Sequence, residues 1–190
     1  MKIRAVIFDL DGTLVDSGLD FDLIRRDLGL DPRSEILEEI SKLPSSMAIA
    51  HAEAILLQHE IAGAIRAIPM PGAQQLLIDL KNAHIKCGIF TRNCRIAAEL
   101  TIRRLGMTID FLVSRDDAPA KPNADGLKLM LKHWDLCPDE ALYVGDYCYD
   151  VEAGQRAGIR TVLYAPQPPG FEHSATFKIE SLERVKFLAR

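Results

Sequence analysis

Short apolar runs recur along this chain, and amphipathic stretches separate them. Residues 5–8 are continuously apolar, the pattern of a short buried strand. Residues 85–90, 141–144 and 159–164 read as strands too, and 109–113 is a weaker instance. Apolar positions at helical spacing fill the stretches near 72–83, 94–105, 123–134 and 150–157. Strands alternating with helices of this length predict right-handed crossovers and a Rossmann-like α/β fold, its parallel sheet covered on both faces. Such sheets bind ligands at the carboxyl ends of their strands. A last edge strand and helix are expected within 177–190.

Residues 16–70 break the alternation and carry only helix signals. Asp20 is placed to cap a short helix that stops at Gly29. Asp31-Pro32 reads as the start of a second, with Ile36, Leu37, Ile40 and Leu43 along one face. Pro44-Ser45-Ser46 starts a third, whose apolar stripe runs through Met47, Ala50, Ala54, Leu57, Ile61, Ile65 and Ile68. Pro69-Met70-Pro71-Gly72 ends it. The expectation is a small all-helical cap of residues 16–70 inserted into an α/β core of residues 1–15 and 71–190. Its hinges fall at Asp16-Ser17-Gly18 and at 69–72.

Chemistry collects where strands end. Asp9-Leu10-Asp11-Gly12 follows the first strand, and Gly145-Asp146-Tyr147-Cys148-Tyr149-Asp150 follows the run at 141–144. A carboxylate at the edge of an apolar core needs a cation or hydrogen-bond donors to hold it. Three or four of them clustered at the ends of strands in one sheet match a hard divalent cation, and Mg²⁺ suits such an oxygen-rich site. Thr91, which alone would read as a helix cap, offers a hydroxyl after the strand at 85–90, and Arg92 and Asn93 add polar groups at the same edge. Lys121, before Pro122, supplies a compact positive charge. Phosphoryl transfer needs this set: a nucleophile, a cation and donors for the phosphoryl oxygens, and an acid for the leaving group.

The order DxDGT, then Thr91, then Lys121, then GDxxxD resembles the haloacid dehalogenase (HAD) superfamily, with a C1-type helical cap and a likeness to its phosphoglycolate phosphatase branch. The resemblance implies Asp9 as nucleophile, forming an aspartyl-phosphate, and Asp11 as the acid and then base. It implies Thr91 and Lys121 around the substrate phosphate; Arg92 and Asn93, beside Thr91 at the same strand end, are further substrate-binding candidates by position. Asp9, Asp11 (through its carbonyl), Asp146 and Asp150 would hold Mg²⁺. Tyr147 departs from the small residue many relatives carry there. Asp11 argues against a dehalogenase or a phosphonoacetaldehyde hydrolase, which lack an acid at that position. A sugar phosphomutase of β-phosphoglucomutase type keeps both aspartates and stays open, as does a non-catalytic binding protein on the same fold. The expected activity is phosphatase action on a small phosphorylated metabolite, with phosphoglycolate as the named candidate.

Composition narrows the partners. The net charge of −4, with no Lys/Arg cluster, gives no field for nucleic acid or an anionic membrane. No apolar run is long enough to span a bilayer. Cys87, Cys94, Cys137 and Cys148 show no CxxC spacing, which fits reduced thiols in a cytoplasmic protein; Cys94 and Cys148 lie near the expected site loops. The cap holds ten acidic against five basic side chains. Were that surplus to face the site, it would disfavour polyanionic substrates. Arg25, Arg26, Lys42 and Arg66 are its cationic candidates for substrate contact.

Overall fold

A computed structural model describes residues 2–168, 170–171 and 174–189. The strands β1 (Ala5–Phe8), β4 (Lys86–Phe90), β5 (Phe111–Val113), β6 (Ala141–Gly145), β7 (Arg160–Tyr164) and β8 (Phe177–Ile179) form one sheet in the order β5-β4-β1-β6-β7-β8. Every neighbouring pair is parallel, so β1 is central and its carboxyl end lies between those of β4 and β6. The pleat sorts side chains by alternation. Val6 and Phe8 of β1 join one core, with Leu76, Leu77 and Leu80 of α4 (Ala73–Asn82), Ala98 of α5 (Arg95–Arg104) and Val185 of α8 (Val185–Leu188). Ala5 and Ile7 face the other, with Leu127, Met130 and Trp134 of α6 (Asp125–Trp134) and Ala153 of α7 (Cys148–Arg156). The expected edge strand and terminal helix are β8 and α8; Arg190 lies outside the described residues.

The stretch after β1 is helical, with three differences from the sequence-based expectation. First, the stretch read as purely helical is bounded by two short strands, β2 (Val15–Asp16) and β3 (Ile68–Pro69), which pair antiparallel and bring its entry and exit together. Second, α1 (Phe21–Asp27) is capped by Asp20 as expected, but α2 begins late and runs Ile36–Ser41. Asp31-Pro32-Arg33-Ser34 closes a turn instead, its aspartate accepting from Arg33 N at 2.9 Å while Ser34 N donates to Asp31 O at 3.0 Å; Asp-Pro is as good a turn opener as a helix start.

Third, α3 (Ser46–Arg66) buries a different face from the stripe expected of it. Met47 is 83% exposed, and Ala50, Ala54, Ile65 and Ile68 are also exposed. The buried side is Ala52, Leu56, Glu60, Gly63 and Ala64. Small residues let this helix approach its neighbours: Ala64 packs with Cys94 and Ala97 of the α5 region, helped by Leu57 and Ile61. Ala52 and Leu56 close a separate small core with Ile24, Ile36 and Ile40 of α1 and α2.

One contact tests the packing of the sheet against α6. A Cβ at Gly126 would collide with three atoms of the Phe90 ring, which is fully buried. Helix propensity favours Ala over Gly by about 1 kcal/mol, whereas overpacking a rigid core costs about 1–3 kcal/mol. Gly126→Ala is therefore expected to lower the urea midpoint without changing the slope, and a raised midpoint would show that the ring has room to move.

Candidate active site

The backbone hydrogen bond from Asp9 N to Val144 O, 2.8 Å, carries the β1–β6 pairing to the first residue past the strand. Asp9 is thereby fixed beside the loop that holds Asp146. The chain then turns tightly: Leu14 N donates to Leu10 O at 2.9 Å and Gly12 N to Val15 O at 2.8 Å. Gly12 has φ +80°, and a Cβ there would strike the Asp146 carboxylate. Glycine thus serves both the left-handed backbone and the close approach of the two acidic loops.

Lys121 Nζ, almost wholly buried, lies 2.6 Å from Asp9 Oδ1 and 2.7 Å from Asp150 Oδ1. Asp150 Oδ1 also accepts from the Tyr143 hydroxyl at 2.7 Å, and its Oδ2 from Tyr147 N at 3.0 Å. This last bond exists because α7 starts at Cys148, two residues before the expected boundary, which puts Asp150 in the first helical turn, facing back towards the sheet. Thr13 Oγ1 donates to Asp146 Oδ1 at 3.2 Å. Asn93 Nδ2 donates to Asp11 Oδ2 at 2.6 Å, and the buried Ser17 lines a cavity together with Asp11. Asp11 Oδ1 is buried without a hydrogen-bond partner among the described residues. Thr91 is buried, its amide donating to Val113 O at 3.0 Å and its Oγ1 accepting from Asn93 N at 3.1 Å.

Oxygens of Asp9, Asp146 and Asp150 lie within 4.8 Å of one another. The donor set is all carboxylate, the chemistry of a hard divalent cation. Burial, with Asp150 beside it, pushes Asp146 up to about 6. Asp9 is raised well above the carboxylate range, first by burial; Lys121 pulls it down, and Asp150 and Asp146 push it up. Asp11 is raised chiefly by burial. For Lys121, burial alone would lower the value, but Asp150 and Asp9 outweigh it and the ammonium is raised. One buried ammonium among three converging carboxylates leaves the cluster short of positive charge, and a divalent cation fits that deficit.

The cluster opens into a cavity of about 900 Å³ roofed by α1–α3. At its rim Arg92 is committed elsewhere than to the acidic cluster. Its Nη1 donates to Lys121 O at 2.5 Å, its Nη2 to Glu38 of α2 at 3.1 and 3.2 Å, and its guanidinium stacks 4.9 Å over the Tyr149 ring. On the α3 side the buried Glu60 pairs with Arg115 and accepts from Cys94 N at 3.3 Å. Of the cationic candidates on the insertion, Arg25 lines the cavity. Lys42 pairs with Glu39 at 2.7 Å, Arg66 donates to Gly18 O at 3.2 Å, and Arg26 is exposed. Burial pushes the Cys94 thiol up to about 11 and also raises Cys148, so both resist forming thiolates.

Asp9, Asp11, Thr91, Asn93, Lys121, Asp146 and Asp150 thus come from separate strand ends to one place. In the sequence Tyr143 and Arg115 carry no assigned role, and Thr13 stands out only within DxDGT, Ser17 only within a hinge and Glu60 only as one of the acidic residues of 16–70. Tyr143 had a signal available, a hydroxyl two residues before a strand-end glycine.

Comparison with known proteins follows the same lines. A family model described as haloacid dehalogenase-like hydrolase matches residues 29–164. A haloacid dehalogenase-like hydrolase domain-containing protein of Arabidopsis thaliana is 32% identical over 98% of this chain and 84% of its own length. A phosphoglycolate phosphatase of Synechococcus elongatus is 29% identical over 84% of this chain and 82% of its own. The fold superposes on a haloacid dehalogenase-like hydrolase of Bacteroides fragilis with TM-score 0.82 at 20% identity, covering 97% of this chain and all of that one. Among the described residues no helix is long and apolar enough to cross a membrane.

The Tyr143–Asp150 bond is a hydrogen bond to a buried charge, a class worth about 1.5–3 kcal/mol. Tyr143→Phe is expected to destabilise the protein by that amount in chemical denaturation. A loss under about 0.5 kcal/mol, the range of a surface change, would show that Asp150 does not depend on it.

Proposed function

The chain belongs to the haloacid dehalogenase-like hydrolase family and is one of its phosphoric monoester hydrolases; we propose that it is a Mg²⁺-dependent phosphatase acting on a small phosphorylated metabolite through an aspartyl-phosphate on Asp9. The observation that carries the proposal is the buried contact of Lys121 Nζ with Asp9 Oδ1, beside Asp146 and below an open cavity. In this reading residues 16–70 are the cap, residues 1–15 and 71–190 are the core, and the substrate sits between them.

Asp9 attacks phosphorus, and the bond to the leaving oxygen breaks. Asp11 gives that oxygen its proton: burial holds its carboxyl above the ordinary range, and Asn93 orients it through Oδ2 while the buried Oδ1 has no hydrogen-bond partner among the described residues. The same carboxylate then takes a proton from the water that attacks the phosphoryl group on Asp9. Thr91 and Asn93 face the phosphoryl oxygens, and Lys121 neutralises nucleophile and phosphate together. Asp9, Asp146 and the Asp11 carbonyl are the groups that would hold Mg²⁺. When bound, the ion supplies positive charge against the repulsion between an anionic nucleophile and an anionic ester. Asp150 is near enough to share the ion, but both its oxygens already accept hydrogen bonds. We assign it chiefly to positioning Lys121. Arg92, turned towards Glu38, positions the cap against the phosphate loop. Closure of that roof excludes water during transfer.

Hydrolysis of p-nitrophenyl phosphate in Mg²⁺ is the test. Removing a covalent nucleophile costs on the order of 10³-fold or more, and removing a general acid about 10²–10⁴-fold. Asp9→Asn is expected to abolish release, Asp11→Asn to reduce kcat within the second range, and EDTA to stop the reaction until Mg²⁺ is restored. Full activity in Asp9→Asn, or in EDTA, would contradict the mechanism.

A further inference from the structure

The cavity is asymmetric in charge. Its floor is the phosphate end, marked by Lys121 and the buried, unpaired Asp11 Oδ1. Its roof and rim, where a leaving group must lie, carry Asp16, Asp20, Asp22, Glu35 and Glu60. Asp22 is paired with Arg25 and Glu60 with Arg115, whereas Glu35 and Glu38 share the single cation Arg92 and leave a net negative charge there. Ile24, Ile36, Leu37 and Leu56 add an apolar wall, and Tyr147 and Tyr149 an aromatic side.

The basic residues lining this space, Arg25, Arg92 and Lys121, are all engaged. Lys121 is held by Asp9 and Asp150. Arg92 is held by Glu38 at 3.1 Å, with Glu35 at 3.8 Å and the Tyr149 ring beneath it. Arg25 is held by Asp22 at 3.0 Å and donates to Ser34 O at 2.9 Å. A second anionic group on the substrate would find no free cation among the described residues that line the cavity, and would sit against Glu35, which shares Arg92 with Glu38. Like charges brought together at a recognition site disfavour binding, and at a partly exposed group such as Glu35, where solvent screens the repulsion, the loss is on the order of tenfold in affinity.

We propose, resting on the phosphatase reading above, that the substrates are phosphate monoesters whose leaving alcohol carries no anionic group, and that the acidic wall centred on Glu35 rejects those that do. The apolar residues beside it then receive the carbon skeleton of a neutral or amine-bearing alcohol. Phosphoglycolate, which matches the cavity in phosphate chemistry, is by this argument a poor substrate.

Three esters of nearly equal size separate charge from shape: 2-hydroxyethyl phosphate, 2-aminoethyl phosphate and phosphoglycolate. For the wild-type enzyme in Mg²⁺, kcat/KM for the first two is expected to exceed that for phosphoglycolate by at least about tenfold. Calorimetric binding of the three to the Asp9→Asn variant is expected to give the same order. Glu35→Gln is expected to shrink the preference at least about threefold by removing one like charge. Equal or better use and binding of phosphoglycolate would overturn the proposal; so would a preference that Glu35→Gln leaves unmoved. If the wild type hydrolyses neither these esters nor p-nitrophenyl phosphate, the phosphatase reading fails by itself, and the order of binding still decides this one.

Discussion

Everything at the carboxyl edge of this sheet follows from forcing acidic side chains together where water is scarce. Asp9, Asp146 and Asp150 converge because β1 and β6 are neighbours and stay paired to their last residues. Charges so placed are tolerable only with compensation. The protein supplies one ammonium, Lys121, and fixes it between Asp9 and Asp150. The remaining deficit shows in the raised values of Asp9 and Asp146, which burial causes first and neighbouring carboxylates reinforce. In the proposed mechanism a nucleophile held this way would react with an anionic ester only once further positive charge arrives, so metal binding and chemistry would be coupled by the same repulsion.

That constraint also explains the surroundings. Gly12 leaves the space the Asp146 carboxylate fills, and a Cβ at Gly145 would collide with Asp150. Tyr143 looks like a core residue, yet its hydroxyl is one of the donors that hold Asp150. The roof is tied down at its rim by contacts of the same kind: Arg92 to Glu38 on one side, Glu60 to Arg115 on the other. Charged residues there join the insertion to the sheet domain while leaving the cavity lining predominantly acidic.

Much of this was legible in the sequence, for identifiable reasons. Apolar runs ending in acid at residues 9 and 146 mark strand ends, because a buried sheet puts its polar residues there. The all-parallel order follows from strands spaced by helices. The insertion was less legible. In α3 the large apolar residues, Met47, Ile65 and others, suggested a buried stripe, but close helix packing selected the small face of Ala52, Gly63 and Ala64. No local pattern marks Glu60 as buried, because its partner, Arg115, is distant in sequence. Asp31-Pro32 fits both a turn and a helix start, and only the surrounding packing decides between them. Arg92 stands in the right loop for phosphate, but its direction is set by Glu38 and Tyr149, which no local pattern links to it.

The central claim is that Asp9 itself carries the phosphoryl group. Acid-quenching the enzyme during turnover of a phosphate ester in Mg²⁺ and mapping its peptides by mass spectrometry tests this directly. The account predicts a peptide containing Asp9 heavier by one phosphoryl group, absent from the Asp9→Asn variant and from samples quenched before substrate is added. Turnover with no such adduct at any quench time, and with activity retained in Asp9→Asn, would contradict it.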